Sequence, residues 1–453
     1  NMNKSLRLVI KRNECAIRLY PCHFSFNYLS NFISHLLPSL RIYHYTVNSS
    51  KKEATKMTGG LKMIEFDKQI SRKDTESVKW DAIAETYQMD DLLPLWVADM
   101  DFLSPGGVAK AFSEYIKHGI FGYATLSDKL YQAIIHWERQ HHAVELTKEN
   151  IVFTSGVLTS LAAAVQTFTK PGDSILIHDP VYPPFSSIIE TNQRHIVRSS
   201  LLEKNNHFIM DLSDMEKKIE ENNVKAMILC NPHNPGGRVW SKEELKQLSE
   251  LCLKHQVILF SDEIHQDLTL FDHTFTSMLT IDPNLDDLLV AFTSATKTFN
   301  LAAIKNSMVF IKNPEMKADF EKHLVMNQQH EINTFGLIGT QAAYETGGEW
   351  LSQLIPYLEK NVQTVNQFFE QYLPKVRIMN PEGTYLMWLD FTAYISDDQE
   401  LENTLVRKGK VVLNPGITFG PSGHGHMRLN IACPEETLLE GLNRIKYALE
   451  TID

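Results

Sequence analysis

The sequence predicts an α/β protein, with a large domain built on a mostly parallel sheet carrying helices on both faces and a smaller α+β domain after it. Three observations lead there. Short, continuously apolar, β-rich runs alternate with amphipathic helical stretches from residue 63 to about 340, the pattern of a parallel sheet buried on both faces. Beyond about 340 the pattern changes to one long helical stretch, shorter strands and a last helix. The chain has 453 residues, more than a single ordinary core holds.

The elements follow in order. Strands are expected over Ile151–Thr154, Ser174–His178, Ala226–Asn231, Val257–Asp262, Leu289–Thr293 and Met308–Ile311, each a short apolar run between turn signals. Helices are expected between them, for example over Ser155–Phe168 and Ser241–His255. In the second domain the spacing predicts a helix over Gly348–Tyr372, strands over Thr384–Leu389 and His426–Ile431, and a helix over Glu435–Glu450. The expected division is 1–62 as a basic leader, 63–104 as an N-terminal segment of the small domain, 105–340 as the large domain and 341–453 as the small C-terminal domain.

Composition narrows the function. Hydrophobic residues make up 43% and charged residues 22%, as in ordinary globular proteins. A net charge of -11 opposes a nucleic-acid-binding body. No apolar run reaches the roughly 18 to 20 residues of a membrane span. The cysteines at 15, 22, 230, 252 and 433 show no CxxC spacing and no paired framework, which suits a reducing compartment and leads us to expect a cytoplasmic protein without a metal site. Residues 1–62 break from the rest, with ten Lys and Arg against two acidic residues. This leader reads as a targeting segment, as an extension upstream of a start at Met63, or as a partner-binding arm.

Four segments at strand ends carry chemistry, and in open α/β sheets ligands bind at the carboxyl ends of strands. Phe153-Thr154-Ser155-Gly156-Val157 runs from a strand into a helix, where backbone amides can meet an anion; read alone, it is a plain turn. Asn231-Pro232-His233-Asn234-Pro235-Gly236-Gly237 is either a turn-rich cap or a loop in which Asn234 donates to a ligand oxygen. Asp262 ends an apolar strand, where an acid is costly unless paired; a protonated pyridine nitrogen would pair it, and a helix N-cap is the plainer reading. Lys297, in Ser294-Ala295-Thr296-Lys297-Thr298-Phe299-Asn300, is a candidate Schiff-base amine, though a lone lysine there would more often be a surface charge. In order, Gly156, Asn234, Asp262 and Lys297 supply a phosphate anchor, a ring-oxygen donor, a pyridinium partner and an amine, the parts that pyridoxal 5'-phosphate needs.

From about Met63 onward the chain resembles the fold-type-I pyridoxal-phosphate enzymes of aminotransferase class I/II, with the aspartate aminotransferase-like transferase fold. The resemblance rests on the order and spacing of those segments. It implies that Lys297 holds the cofactor, Asp262 pairs with the pyridine nitrogen, Asn234 bonds the ring hydroxyl oxygen, and Tyr182, in Asp179-Pro180-Val181-Tyr182-Pro183-Pro184-Phe185, stacks on the ring. Gly156, Val157 and Ser294 would hold the phosphate. Tyr123 would reach the phosphate of a neighbouring subunit, implying a homodimer with shared sites. Arg428, in His426-Met427-Arg428-Leu429-Asn430, would clamp the substrate carboxylate bidentately.

Within the superfamily the chain is most similar to the MalY/PatB branch of C–S lyases. The strings are Pro94-Leu95-Trp96-Val97-Ala98-Asp99-Met100-Asp101-Phe102, DPVYPPF and Asp262-Glu263-Ile264-His265. Ordinary aminotransferases carry Tyr three residues after the pyridine Asp, where this chain has His265, as the lyase branch does. They carry Arg eight residues after the lysine, where this chain has Lys305, which can serve the phosphate as a point charge but not as a fork. The branch implies β-elimination from S-substituted cysteines, such as cystathionine, to pyruvate, ammonia and a thiol. Lys297 would remove the α proton. Amino transfer uses the same residues and is the alternative. A regulatory binding role, as in one member of the branch, is the reading of another class.

Overall fold

The computed structural model describes residues Met63–Glu450, so the basic leader read over 1–62 lies outside the described residues. Seven strands form the large sheet: β1 (Ile151–Thr154), β2 (Ser174–Asp179), β3 (His195–Ser200), β4 (Val224–Cys230), β5 (Ile258–Asp262), β6 (Leu289–Thr293) and β7 (Ser307–Phe310). Their order is β1-β7-β6-β5-β4-β2-β3. All neighbours are parallel except β7, which runs antiparallel to both β1 and β6.

Alternation explains why both faces are covered. Along each strand successive side chains point to opposite faces. Ile151, Phe153, Leu176, Met227, Leu229, Leu259, Leu289 and Ala291 enter one core cluster, with Ile134 of helix Asp128–His142, Met215 of Leu212–Asn222 and Leu248 of Lys242–His255. Val152, Ile175, Ile177, Ala226, Ile228, Phe260, Val290 and Phe292 enter the other, with Leu161 of Val157–Phe168, Phe185 of Pro184–Thr191 and Phe320 of Pro314–Met326. A strand buried on both sides must be apolar throughout, which is why the central strands read as unbroken apolar runs.

The second sheet holds β8 (Arg377–Ile378), β9 (Leu386–Asp390), β10 (Asn414–Pro415) and β11 (His426–Asn430) in the order β8-β9-β11-β10, all antiparallel. The 25-residue helix Gly348–Tyr372 and the last helix Glu435–Glu450 accompany it. Leu93–Pro94 pairs in parallel with Val411–Val412, near the C-terminal sheet.

Three helix starts follow their local sequence. Ser241 caps Lys242–His255 through a capping box with Glu244. Ser127 accepts from the Leu130 amide, and Asn313 does the same for Glu315 and Met316. No helix among the described residues is long and apolar enough to cross a membrane.

Two histidines in the large domain link the core to pH. His178 on β2 is fully enclosed with neither ring nitrogen hydrogen-bonded, and burial lowers its pKa to about 4. His233 is lowered to about 3, by burial first and the neighbouring His178 second. Both folded values lie below the unfolded value of about 6.5. The unfolded chain therefore takes up protons first as pH falls, so this contribution is full above pH 6.5 and is lost on acidification towards 4. Chemical denaturation across that window is expected to lose stability steadily, and His178→Leu, which forfeits no hydrogen bond, to flatten the loss. An unchanged slope in the variant would contradict the assignment.

Candidate active site

The sheet register brings the strand ends to one level. Cys230 on β4 lies opposite Asp262 on β5, and Asp262 lies opposite Phe292 on β6. The Asn231 amide then donates to Asp262 O at 2.9 Å and the Glu263 amide to Phe292 O at 2.8 Å. The segments following β1, β4, β5 and β6 meet around one cavity of about 210 Å³. Its lining includes Gly156, Val157, Tyr182, Asn234, Asp262, His265, Lys297 and Lys305 from the sequence reading. Ala98, Leu158, Thr159, Cys230, Ile264, Thr296 and Asn306 are there as well.

On the β1 side, Gly156 has φ +137°, a backbone conformation open to glycine and strained for other residues. It precedes helix Val157–Phe168, whose first amides have no partner within the helix. That helix start, with the cavity at residues 156 to 159, is suited to an anion.

Across the cavity the Lys297 amine donates to Ala98 O at 2.6 Å. Burial and then the Arg428 charge lower its pKa to about 8, against the opposing pull of Asp99 and Asp262. The amine is enclosed even though the residue as a whole keeps intermediate exposure. Lys297 is therefore close to neutral at mildly alkaline pH, as a nucleophile or base must be. Asp262 accepts from the Ile264 amide at 3.2 Å and caps no helix. Burial raises its pKa to about 7, so a cationic nitrogen brought against it would restore its charge.

Arg428 comes from the middle of the small sheet, paired with Trp388 and Asn414. Its Nη1 donates to Asn234 Oδ1 at 3.0 Å and its Nη2 to Trp96 O at 2.9 Å and Asn414 Oδ1 at 2.5 Å. Nε is buried without a hydrogen-bond partner. No carboxylate of the described residues ion-pairs with this guanidinium, and burial lowers its pKa to about 10. A buried cation without a counter-charge is costly, and a ligand carboxylate would supply one. The Arg428 bond occupies Asn234 Oδ1, leaving the Asn234 amide NH2 as donor.

His265 is buried with an unpartnered Nδ1, edge-on to Tyr385 with ring centroids 6.0 Å apart. Burial, then Lys297 and Arg428, hold its pKa well below the usual value, so it is neutral. Tyr182 is part-buried beside Phe185 at 5.7 Å, with its pKa raised mainly by burial. Lys305 is exposed at the cavity with φ +50°. Three of the expected residues are outside the cavity lining: Arg428, which meets it through Asn234, and Ser294 and Tyr123. Ser294 is not among the cavity-lining residues; its hydroxyl donates to Asn306 O at 2.6 Å and caps the Thr296 amide, and Thr296 lines the cavity instead. Tyr123 is fully exposed, outside any helix or strand and away from this cavity.

The segment Trp96–Phe102 ties the two sheets together, a role that the sequence reading did not assign. Tyr385 Oη also donates to Ala98 O, at 2.9 Å. Asn430 Nδ2 donates to Val97 O and Asp99 O at 2.6 and 2.7 Å. Asn300 Nδ2 donates to Met100 O and Phe102 O at 2.9 and 2.8 Å. The fully buried Lys79 and the part-buried Arg72 meet Asp101, each at 2.8 Å. Asn300, three residues after the lysine, and Asn430, two after Arg428, are thus fixed to one strap. Only the odd density of acids in the string Ala98-Asp99-Met100-Asp101 signals it beforehand.

The donor set suits pyridoxal phosphate: amides at a helix start for the phosphate, a buried acid with its pKa raised for a ring nitrogen, an amide donor, and an amine with its pKa lowered. Residues 90–445 match the family model described as aminotransferase class I and II. The chain is 44% identical over 384 residues to cystathionine beta-lyase PatB of Bacillus subtilis (strain 168), covering 85% of this chain and 99% of that protein. It is 30% identical over 392 residues to protein MalY of Escherichia coli (strain K12), covering 86% and 100%. Among solved structures it is similar to cystalysin from Treponema denticola, which contains pyridoxal 5'-phosphate, with TM-score 0.84, 34% identity and coverage of 86% and 100%. It is also similar to the pyridoxal-phosphate-bound C–S lyase from Staphylococcus hominis, with TM-score 0.80, 32% identity and coverage of 85% and 97%.

Proposed function

We infer, for a chain that belongs to the aminotransferase class I and II family, a pyridoxal-phosphate-dependent carbon–sulfur β-lyase that cleaves S-substituted cysteines, cystathionine among them, to pyruvate, ammonia and a thiol. Elimination and amino transfer draw on the same cavity residues. The observation that carries the choice is the 44% identity to cystathionine beta-lyase PatB over 99% of that protein.

The bound cofactor supplies an electron-withdrawing ring conjugated to the substrate nitrogen, which acidifies the α proton. Gly156, Val157 and the neighbouring amides would hold its phosphate, with Lys305 as a point charge. Tyr182 would lie against the ring, Asp262 would pair with its nitrogen, and Asn234 would donate to its hydroxyl oxygen. His265, another residue of the cavity lining, is neutral and would add no second cation there. Ser294 would act on the phosphate indirectly, by capping the turn that presents Thr296. Lys297 would carry the cofactor, then remove the α proton as a free amine. Arg428 would take the substrate carboxylate, which relieves its lack of a counter-charge and fixes the α carbon near Lys297. The β sulfur then departs as a thiolate, a good leaving group.

The test is thiol release from a series of S-substituted L-cysteines by the purified full chain. Steady release that scales with the leaving ability of the thiol supports elimination. Release at the rate of a blank reaction removes the lyase reading.

A cytoplasmic homodimer with shared sites is part of the same proposal. It is supported by the full exposure of Tyr123 beside the exposed Phe121 and Ile120, and by free buried thiols at Cys230, Cys252 and Cys433. Tyr123→Phe is expected to weaken cofactor retention about tenfold, the loss of roughly one hydrogen bond to a charged group. Mixing it with Lys297→Ala is expected to restore activity in hybrids that hold one intact site. A fully active monomer at high dilution contradicts this arrangement.

A further inference from the structure

A second buried polar cluster lies outside the cavity lining. Asp267, five residues beyond Asp262, is enclosed, and its Oδ1 accepts from His142 Nε2 at 2.7 Å and Trp137 Nε1 at 2.9 Å. Its Oδ2 accepts from Thr298 Oγ1 at 2.6 Å. Next to it, Gln266 Nε2 donates to Glu138 Oε1 at 2.7 Å. Glu138 and His142 stand one turn apart on helix Asp128–His142. The helix therefore holds Asp267, which in turn holds Thr298 next to Lys297, and it holds Gln266 next to His265.

Nothing in the elimination uses these groups, and an ion pair is an expensive way to fill a core. Apolar side chains of similar volume would often pack at least as well. What the polar cluster adds is direction, since each bond fixes one atom of a segment that bears a cavity residue. Each member of the pair favours the charged form of the other. Burial pushes the Asp267 carboxyl up, and the His142 hydrogen bond and charge, with the bonds from Thr298 and Trp137, more than reverse it, leaving it below its ordinary value. Burial pulls His142 down, and Asp267, Glu138 and Glu263 raise it overall. Glu263 is itself held by Ser261, Ser277 and the Met278 amide. The Tyr344 ring stacks on Trp137 at 5.2 Å.

We propose that Asp267, with His142 as its counter-cation, is a positioning residue that locks the Lys297 turn, through Thr298, to the loop that follows Asp262. It sets the placement of the lysine amine relative to that acid. The inference rests on the reading of Lys297 as the cofactor-bearing amine.

Three variants of the full-chain holoenzyme test it: Asp267→Asn, Thr298→Val and Thr298→Ser. The measurements are kcat, KM, the cofactor dissociation constant and the pH midpoint of the visible absorbance. Asp267→Asn is expected to lower kcat about 10- to 100-fold with KM within about threefold, the signature of misplacement rather than lost binding. It is also expected to weaken cofactor binding and to move the absorbance midpoint by about half a pH unit or more. Thr298→Val cuts only the bond to the lysine turn and leaves the Asp267–His142 pair intact, so it decides the matter if Asp267→Asn fails to fold. It is expected to lower kcat about 5- to 10-fold and shift the midpoint the same way, with Thr298→Ser returning both to near wild type. A Thr298→Val enzyme with wild-type kcat and absorbance titration overturns the proposal, even if its melting temperature falls. Persistence of the visible band in Lys297→Ala would instead sink the parent reading.

Discussion

Lys297→Ala is expected to lower thiol release from cystathionine by about 10⁴-fold or more, because one amine serves as both covalent partner and general base. The cavity supplies no replacement. His265 is neutral with its pKa held far down, Lys305 is exposed at the cavity rim, and the Cys230 thiol is pushed up by burial and by Asp262. The visible absorbance of the bound cofactor should disappear with the lysine. The fold should persist, since Lys297 makes a single hydrogen bond, to Ala98 O, which Tyr385 also holds. Retained turnover with an intact far-ultraviolet spectrum would show that another amine carries the cofactor.

Arg428→Ala is expected to lower kcat/KM by about 30- to 1000-fold, the loss of roughly 2 to 4 kcal/mol for a charge-assisted bidentate pair. The guanidinium is buried with no carboxylate partner among the described residues, and one of its nitrogens makes no hydrogen bond. That spare capacity points to a ligand rather than to a structural pair. Cofactor absorbance should remain, because Arg428 meets the cavity through Asn234 and not through the helix start at Gly156. Arg428→Lys should recover little, since an ammonium cannot form a fork and cannot reach Asn234, Trp96 and Asn414 together. A variant that handles amino acids as wild type does would place carboxylate binding elsewhere.

Much of this site was legible because its residues lie at the ends of strands that must be apolar. Burial on both faces made β4, β5 and β6 visible, and their ends named Asn234, Asp262 and Lys297. Strand boundaries shifted by one or two residues, as with Ala226–Asn231 against the observed Val224–Cys230. The edge strand β3 escaped the reading, since His195–Ser200 alternates exposed and buried residues and is largely polar. Nothing in the apolar run of β7 shows that it is antiparallel, because buried strands of either direction look alike. Tertiary contacts were out of reach. Tyr385 meets Ala98 across 287 residues, and Trp137 meets Asp267 across 130. The family resemblance assigned Ser294 to the phosphate; its hydroxyl donates to Asn306 O and caps the Thr296 amide, and Thr296 lines the cavity.

The most direct test of the β-lyase account is the number of pyruvate molecules formed per active site from L-cystathionine with no keto acid present. Elimination regenerates the starting enzyme, so the account predicts hundreds of turnovers, independent of added 2-oxoglutarate, while L-alanine, which lacks a β leaving group, stalls. Less than one pyruvate per site, with rapid cycling only when 2-oxoglutarate accompanies an ordinary amino acid, would contradict it and make the protein an aminotransferase.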